Sequence, residues 1–375
     1  MASPQPALAG FTVGVTADRR ADEQIELLER RGARVLHGPT IRTRPLSGDP
    51  RLQEVTRAIV ADPPDVVVIT TAIGLRSWHG AAESHGLGDA LRRALGRATV
   101  LTRGPKAAGA ALTLGLDVAW SAPSARSAEV VDHVAATAGP GSTVAVQLDG
   151  GTTDHIGEHL AAAGFVVRVV PVYRWAVPDD PAPAGRLVAA IVDRSVDAVT
   201  FTAAPAVRNL FAIAGAHGAA GEVRDALGRG EVDAVCIGSA CAEAAAAEGI
   251  TGAIVPDHFR LGAMVQAYVR AVADRARTFM LDGTRVTVQG RLVSIDGHGD
   301  VELSTRERDV FAALARRPGA VVPKTALVQQ IWGSGERDTH LAEVTVARLR
   351  QRLGPAGRGI ETVVRRGYRL DATAG

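Results

Sequence analysis

The sequence predicts an α/β body of two similar parallel-sheet domains, followed by a small basic domain of helices and short antiparallel strands. Three observations predict it. Over the first 275 residues, short β-rich apolar runs alternate with amphipathic stretches, the pattern of parallel sheets covered by helices on both faces. Segments of the first half return in the same order in the second, at offsets between 131 and 134 residues. Around Ala273–Gly283 the alternation stops, and glycine-punctuated runs and three short amphipathic stretches take over.

The elements follow in order. "FTVGVTADRRADEQIELLERRGARV" opens the body and reappears as "STVAVQLDGGTTDHIGEHLAAAGFVV", with Gly32 matching Gly164. The apolar strand Asp65–Thr71 begins "DVVVITTAIGLRSW", which returns as "DAVTFTAAPAVRNLF", with Asp65 matching Asp197. "LGDALRRALG", Leu87–Gly96, has helical spacing. "VLTRGPKAAGAALTLGLDV" returns as "VCIGSACAEAAAAEGITGA", with Gly104 matching Gly238 and Gly115 matching Gly249. Chance likeness among α/β elements would not hold so constant an offset.

Two such halves predict a cleft, and ligands of parallel sheets bind beyond the carboxyl ends of the strands. Those ends bring forward Thr16, Thr70, Thr71, Gly104, Gly150, Gly151, Thr202, Gly238 and Ser239 as candidate ligand contacts. Helix starts at such turns offer free N–H groups to carboxylates or phosphates. The same small residues also serve simply as tight turns and caps, and both readings stay open.

In the tail, "STRERDVFAALARRPG" starts with Ser304 and carries Glu307 three residues on, a capping box. "VPKTALVQQIWG" predicts a second helix, and "THLAEVTVARLRQRLG" a third that ends at Gly354. On the third, Ala342, Val346, Leu349 and Leu353 make one apolar stripe. The opposite face offers His340, Val344, Ala347, Arg348 and Gln351, flanked by Glu343, Arg350 and Arg352. One buried face and one bearing Arg, Gln and small residues suit a DNA major groove. "IETVV" and "GYRL" then pair around Arg365 and Arg366, whose hairpin tip would reach phosphates or the adjacent minor groove. Residues 276–375 hold 16 Lys+Arg against 11 Asp+Glu, a net +5 on a body of −3. The asymmetry points to a nucleic-acid partner for the tail.

Other chemistry is excluded or weak. No apolar run approaches a membrane span, and "MASPQPALAG" lacks the basic start of a signal peptide. With two cysteines, Cys236 and Cys241, a disulfide framework is excluded, and a cytoplasmic address is expected. Cys236 reads as a buried small hydrophobe; Cys241 lies near a helix start, which can lower a thiol pKa. His155 and His159 share a helix face beside Asp154 but lack a third ligand of matching spacing. Neither a Walker A loop nor a dinucleotide fingerprint is present. No metal and no cofactor are expected.

The body resembles the uroporphyrinogen-III synthase family over roughly residues 10 to 275. The likeness rests on "GVTADRR", the "ITTAIGL" and "FTAAPAV" turns, the turns at Gly104 and Gly238, and "VPVYRW". The resemblance implies two α/β domains, residues 10–37 with 177–275 and residues 42–170, joined by connector strands "HGPTIRT" and "VVPVYRW". It also implies closure of a linear tetrapyrrole held largely by backbone N–H groups. Tyr173 matches the family's catalytic candidate, and a packed connector residue is the other reading of it. The chain departs from the family at Ala107, Cys241 and Ala203, where hydroxyls are usual, and at "LDGGTTDH", where arginines are common. Fewer such donors weaken a hold on carboxylates.

Residues 280–372 resemble the OmpR/PhoB-type winged-helix effector domain through "LSTRERDVFAAL", "VVPKTALVQQIWG", "VTVARLRQRLG" and "IETVVRRGYRL". Family DNA contacts fall on His340, Glu343, Val344, Ala347, Arg348, Arg350, Thr362 and Val364. The combination is similar to actinobacterial regulators of nitrate and nitrite assimilation. Lysine occurs only at Lys106 and Lys324, which agrees with a GC-rich genome. The expectation is a regulator that binds promoter DNA as a dimer and senses a small effector, a tetrapyrrole or precursor. The alternative is an active synthase with an appended DNA-binding domain.

Overall fold

The computed structural model describes residues 5–150, 155–333 and 335–374. They form two compact units, one running to Thr40 and resuming at Pro178, the other spanning Ile41–Val177.

The first unit begins with an α/β domain whose sheet is drawn from both ends of the body. Its strands are all parallel, in the order Asp233–Cys236, Ala198–Phe201, Thr12–Val15 and Arg34–His37. The second unit has five parallel strands, ordered Val118–Ser121, Thr99–Thr102, Val66–Ile69, Thr143–Gln147 and Val166–Val170. Its strand Val66–Ile69 is buried at every position, as expected of a strand covered on both faces. Arg42–Pro45 pairs antiparallel with Tyr173–Ala176 as a two-stranded connector.

The repeat has a local counterpart in these sheets. The Asp65 carboxylate accepts the N–H of Thr143 at 2.8 Å, and the matching Asp197 accepts that of Thr12 at 2.7 Å. Each aspartate thus caps the first residue of the neighbouring central strand, satisfying a donor that the ladder leaves free.

The winged-helix domain completes the first unit. Strands Arg277–Leu281, Thr284–Gln289, Leu292–Ile295 and Gly299–Glu302 form an antiparallel sheet that Ala372–Ala374 joins at one edge. Helices Thr305–Ala315, Lys324–Trp332 and His340–Arg352 pack on it, and Ile360–Val363 pairs with Gly367–Leu370 as the wing. One core unites them, with Phe311, Leu314, Val328, Val346, Leu349 and Leu370 nearly or wholly buried.

The predicted capping box is present: Ser304 Oγ accepts from Glu307 N, and Ser304 N donates to Glu307 Oε2 at 2.8 Å. Arg352 adds an ion pair to the same carboxylate at 3.0 Å. Burial alone would raise the Glu307 carboxyl, but the Ser304 and Arg352 hydrogen bonds hold it below its ordinary value. Ser304→Ala is therefore expected to cost about 0.5–2 kcal/mol, read from denaturant unfolding. A depressed folded pKa contributes stability above the unfolded value and loses it as pH falls through the folded one. The stability gap between wild type and Glu307→Gln should accordingly close in acid, below the usual glutamate range. A gap that stays flat there would remove this account.

Candidate nucleic-acid interface and ligand turns

The third winged-helix helix turns its stripe inward as its spacing requires. Ala342, Val346, Leu349 and Leu353 are at most 1% exposed. The outward face carries His340, Ala347, Arg348 and Gln351, all exposed, with Glu343 and Val344 half-buried. Arg348, Arg365 and Arg366 are exposed, and their guanidinium groups take no partner among the described residues. Arg365 holds the wing tip in a left-handed conformation, φ 62°. Beside it Val364 stands 78% exposed, an apolar tip between two strands and two free cations. Thr362 is exposed on the same hairpin.

Arg350, a flanking position that the family resemblance puts among the DNA contacts, is engaged within the domain. Its Nε donates to Ile360 O at 2.8 Å and its Nη2 to Thr362 Oγ1 at 2.9 Å, and its guanidinium lies over the Tyr368 ring. Two positions round the helix from Arg348, it ties helix to wing and fixes their spacing. Glu343 is likewise engaged, paired with Lys324 of the preceding helix and 3.5 Å from His340. The Lys324 hydrogen bond, then that of His340, hold the Glu343 carboxyl below its ordinary value. Lys324 was not singled out from sequence, because its partner lies nineteen residues away on another helix.

The α/β turns are occupied in part by the protein itself. In the first domain the buried Thr16 hydroxyl donates to Thr200 O at 2.7 Å. Thr202 and Ser239 are half-buried at their strand ends. Gly238 caps the helix Ser239–Ala247, and a Cβ there would sit 2.9 Å from the ring of Phe259, itself 48% exposed. No sequence signal pointed to Phe259.

In the second domain Thr70 is buried and donates to Gln147 O at 2.7 Å. Thr71 caps the helix Ala72–Ser84 through Gly74 N, and its Oγ1 lies 3.3 Å from the Tyr173 hydroxyl. Thr16 and Thr70 thus spend their hydroxyls on the sheet, where the sequence put them forward as ligand contacts. Gly104 caps the helix Pro105–Thr113. Gly150, at φ 88°, lies against the Tyr173 ring so closely that any Cβ would collide with it. Tyr173 is 3% exposed, so its ring is a packed connector residue while its hydroxyl reaches a strand-end turn. Arg103 and Asp149 form a 2.6 Å ion pair across two of these turns, another feature the sequence did not announce. Gly151 and Asp154 lie outside the described residues.

The remaining candidates carry little chemistry. His159 bonds through Nδ1 to His155 O on an exposed face. Burial pushes the Cys236 and Cys241 thiols up to about 12, against the lowering expected at a helix start for Cys241. At Cys241 desolvation outweighs the lowering by a backbone hydrogen bond at Ile237, and both thiols stay protonated at neutral pH.

A family model described as uroporphyrinogen-III synthase HemD matches residues 22–266, and one described as transcriptional regulatory protein, C terminal, matches residues 298–370. The chain is 30% identical over 263 residues to the uncharacterized protein YjjA of Bacillus subtilis (strain 168), covering 69% of this chain and 94% of that protein. A mutant uroporphyrinogen III synthase from the extremely thermophilic bacterium Thermus thermophilus is similar in structure, with TM-score 0.59 and 29% identity over 70% of this chain and 99% of that one. Over 99 residues the chain is 29% identical to the transcriptional regulatory protein PrrA of Mycobacterium tuberculosis, covering 26% of this chain and 42% of PrrA.

Proposed function

The chain belongs to the uroporphyrinogen-III synthase HemD family, and on that premise we propose a DNA-binding transcriptional regulator whose synthase-like body senses a small effector. One observation carries the proposal. The fused response-regulator-type domain turns Arg348, Arg365 and Arg366 outward and unpaired on one helix and one wing, while neighbouring charges are neutralised internally. Free guanidinium groups on a helix that fits a major groove and a wing beside it match phosphate and base recognition.

The effector is a tetrapyrrole or a precursor, held by backbone N–H groups at the strand-end turns. Gly104 and Gly238 cap helix starts with backbone free of a side-chain cap. The setting is nitrate and nitrite assimilation, in the cytoplasm, with the protein acting as a dimer on promoter DNA; these follow from the likeness to fused regulators and rest on analogy. In a titration of the full chain against its own promoter fragment, hydroxymethylbilane or uroporphyrinogen III is expected to shift the midpoint. No shift with either would remove the tetrapyrrole assignment.

A second reading, an active synthase, is favoured by the Tyr173 hydroxyl at 3.3 Å from Thr71. Rapid conversion of hydroxymethylbilane to the type III isomer, lost in Tyr173→Phe, would establish it. The hydroxyls absent at Ala107, Ala203 and Cys241 favour binding over turnover.

A further inference from the structure

The internal repeat supplies its own control. Asp65 and Asp197 occupy matching positions and cap matching strands, yet Asp65 is exposed while the Asp197 side chain is only 10% exposed. The winged helix makes the difference. Arg308, on the helix Thr305–Ala315, donates to Asp197 Oδ1 at 2.7 Å from a side chain itself 18% exposed. The same guanidinium donates to Asp309 Oδ1, and Asp197 Oδ2 still accepts from Thr12 N. Burial raises the Asp197 carboxyl, and the Arg308 charge, Thr12 N–H and Arg291 oppose it.

More contacts surround this pair. Arg291 N donates to Gly10 O at 2.9 Å, and the Arg291 side chain reaches Thr12 Oγ1. Gln289 Nε2 donates to Pro6 O at 3.1 Å and Ala9 O at 3.0 Å, and Arg34 pairs with Glu302. A Cβ on Gly290, at φ 58°, would meet Gly10 O at 2.5 Å, so the two backbones touch with no room for a side chain. None of the described side chains of the helix His340–Arg352 or of the wing takes a hydrogen bond or ion pair from the α/β domain.

We infer that the winged helix and the first α/β domain form one fixed unit, latched by Arg308 on Asp197, which leaves the recognition helix and wing open to DNA with or without effector. An effector then acts by reshaping this unit or its assembly, not by uncovering the recognition helix. The latch grips the two central strands at Asp197 and Thr12. Their opposite ends carry Thr202 and Thr16, roughly 13 Å away for a four-residue strand. The inference rests on the regulator reading for its DNA half only.

Hydrogen exchange on the full chain tests it, with the Arg291 amide as reporter of the interface and the Val288 and Val293 amides as reporters of the winged-helix sheet. Two variants loosen the latch by different means. Gly290→Asn keeps a residue that tolerates the left-handed backbone but wedges against Gly10. Asp197→Asn with Arg308→Met removes the charges. Both are expected to speed Arg291 exchange by about tenfold or more, leaving Val288 and Val293 protected and promoter affinity unchanged at fixed salt. Arg291 exchange as fast as an exposed loop in the wild type, or unaffected by both variants, would overturn the fixed unit. Tighter DNA binding by the loosened variants would overturn the open presentation. Wild type that binds no DNA, with Arg291 still protected through the latch, would end the regulator reading and leave the fixed unit standing.

Discussion

Replacing Arg348, Arg365 and Arg366 together by alanine is expected to abolish measurable promoter binding at physiological salt while leaving the unfolding midpoint unchanged. All three side chains are exposed and unpaired, so their removal takes nothing from the core, and such surface changes usually stay within about 0.5 kcal/mol. Their roles separate by salt. Arg348 on the helix should read a base edge, worth about 1–3 kcal/mol of discrimination, and its single replacement should flatten preference among sequences. Arg365 and Arg366 at the wing should contact phosphates, and losing both should reduce the slope of log affinity against log salt by about two. Affinity titrations at several salt concentrations, on the promoter and on a scrambled duplex, distinguish the two. A triple variant that still binds at wild-type affinity would place the DNA surface elsewhere.

Arg350→Ala should behave differently from Arg348→Ala, although the two look alike in sequence. Arg350 bonds to Ile360 O and Thr362, so its loss frees the wing rather than a base contact. The sequence showed which residues face inward, because a 4-3-4 spacing is a local property of one helix. It could not show where a long, flexible guanidinium ends, because that depends on a hairpin ten residues later. The same divide runs through the body. Strand ends, cap glycines and the Asp65–Asp197 match were legible from alternation and repetition. That Tyr173 packs on Gly150, that Phe259 covers Gly238 and that Arg308 finds Asp197 111 residues away were not. Each is a tertiary contact between segments that carry no shared local pattern. Thr16 and Thr70 show the same divide: their place at strand ends was legible, but that each hydroxyl donates to a carbonyl of the neighbouring strand was not.

Leu349→Ala, one residue from Arg348, should give the opposite signature. Leu349 is 0% exposed in the core that joins the three helices, the sheet and the wing. Truncating a buried leucine costs about 2–5 kcal/mol in lost transfer energy and residual cavity, a large share of the stability of a small domain. The loss should appear as faster exchange of amides across residues 305–370, with those of the strands Val66–Ile69 and Thr99–Thr102 in the other unit unaffected. DNA affinity should fall on warming, as the fraction of folded winged helix falls, and recover on cooling. The Arg348 variant should instead bind weakly at every temperature from a domain that stays folded. If Leu349→Ala lost binding with no change in exchange, Leu349 would be acting on DNA rather than on packing, and the inward orientation of the stripe would be wrong. The helix thus separates two requirements within one turn: Leu349, buried in the core, and Arg348, exposed and expected to read DNA, stand side by side and point apart.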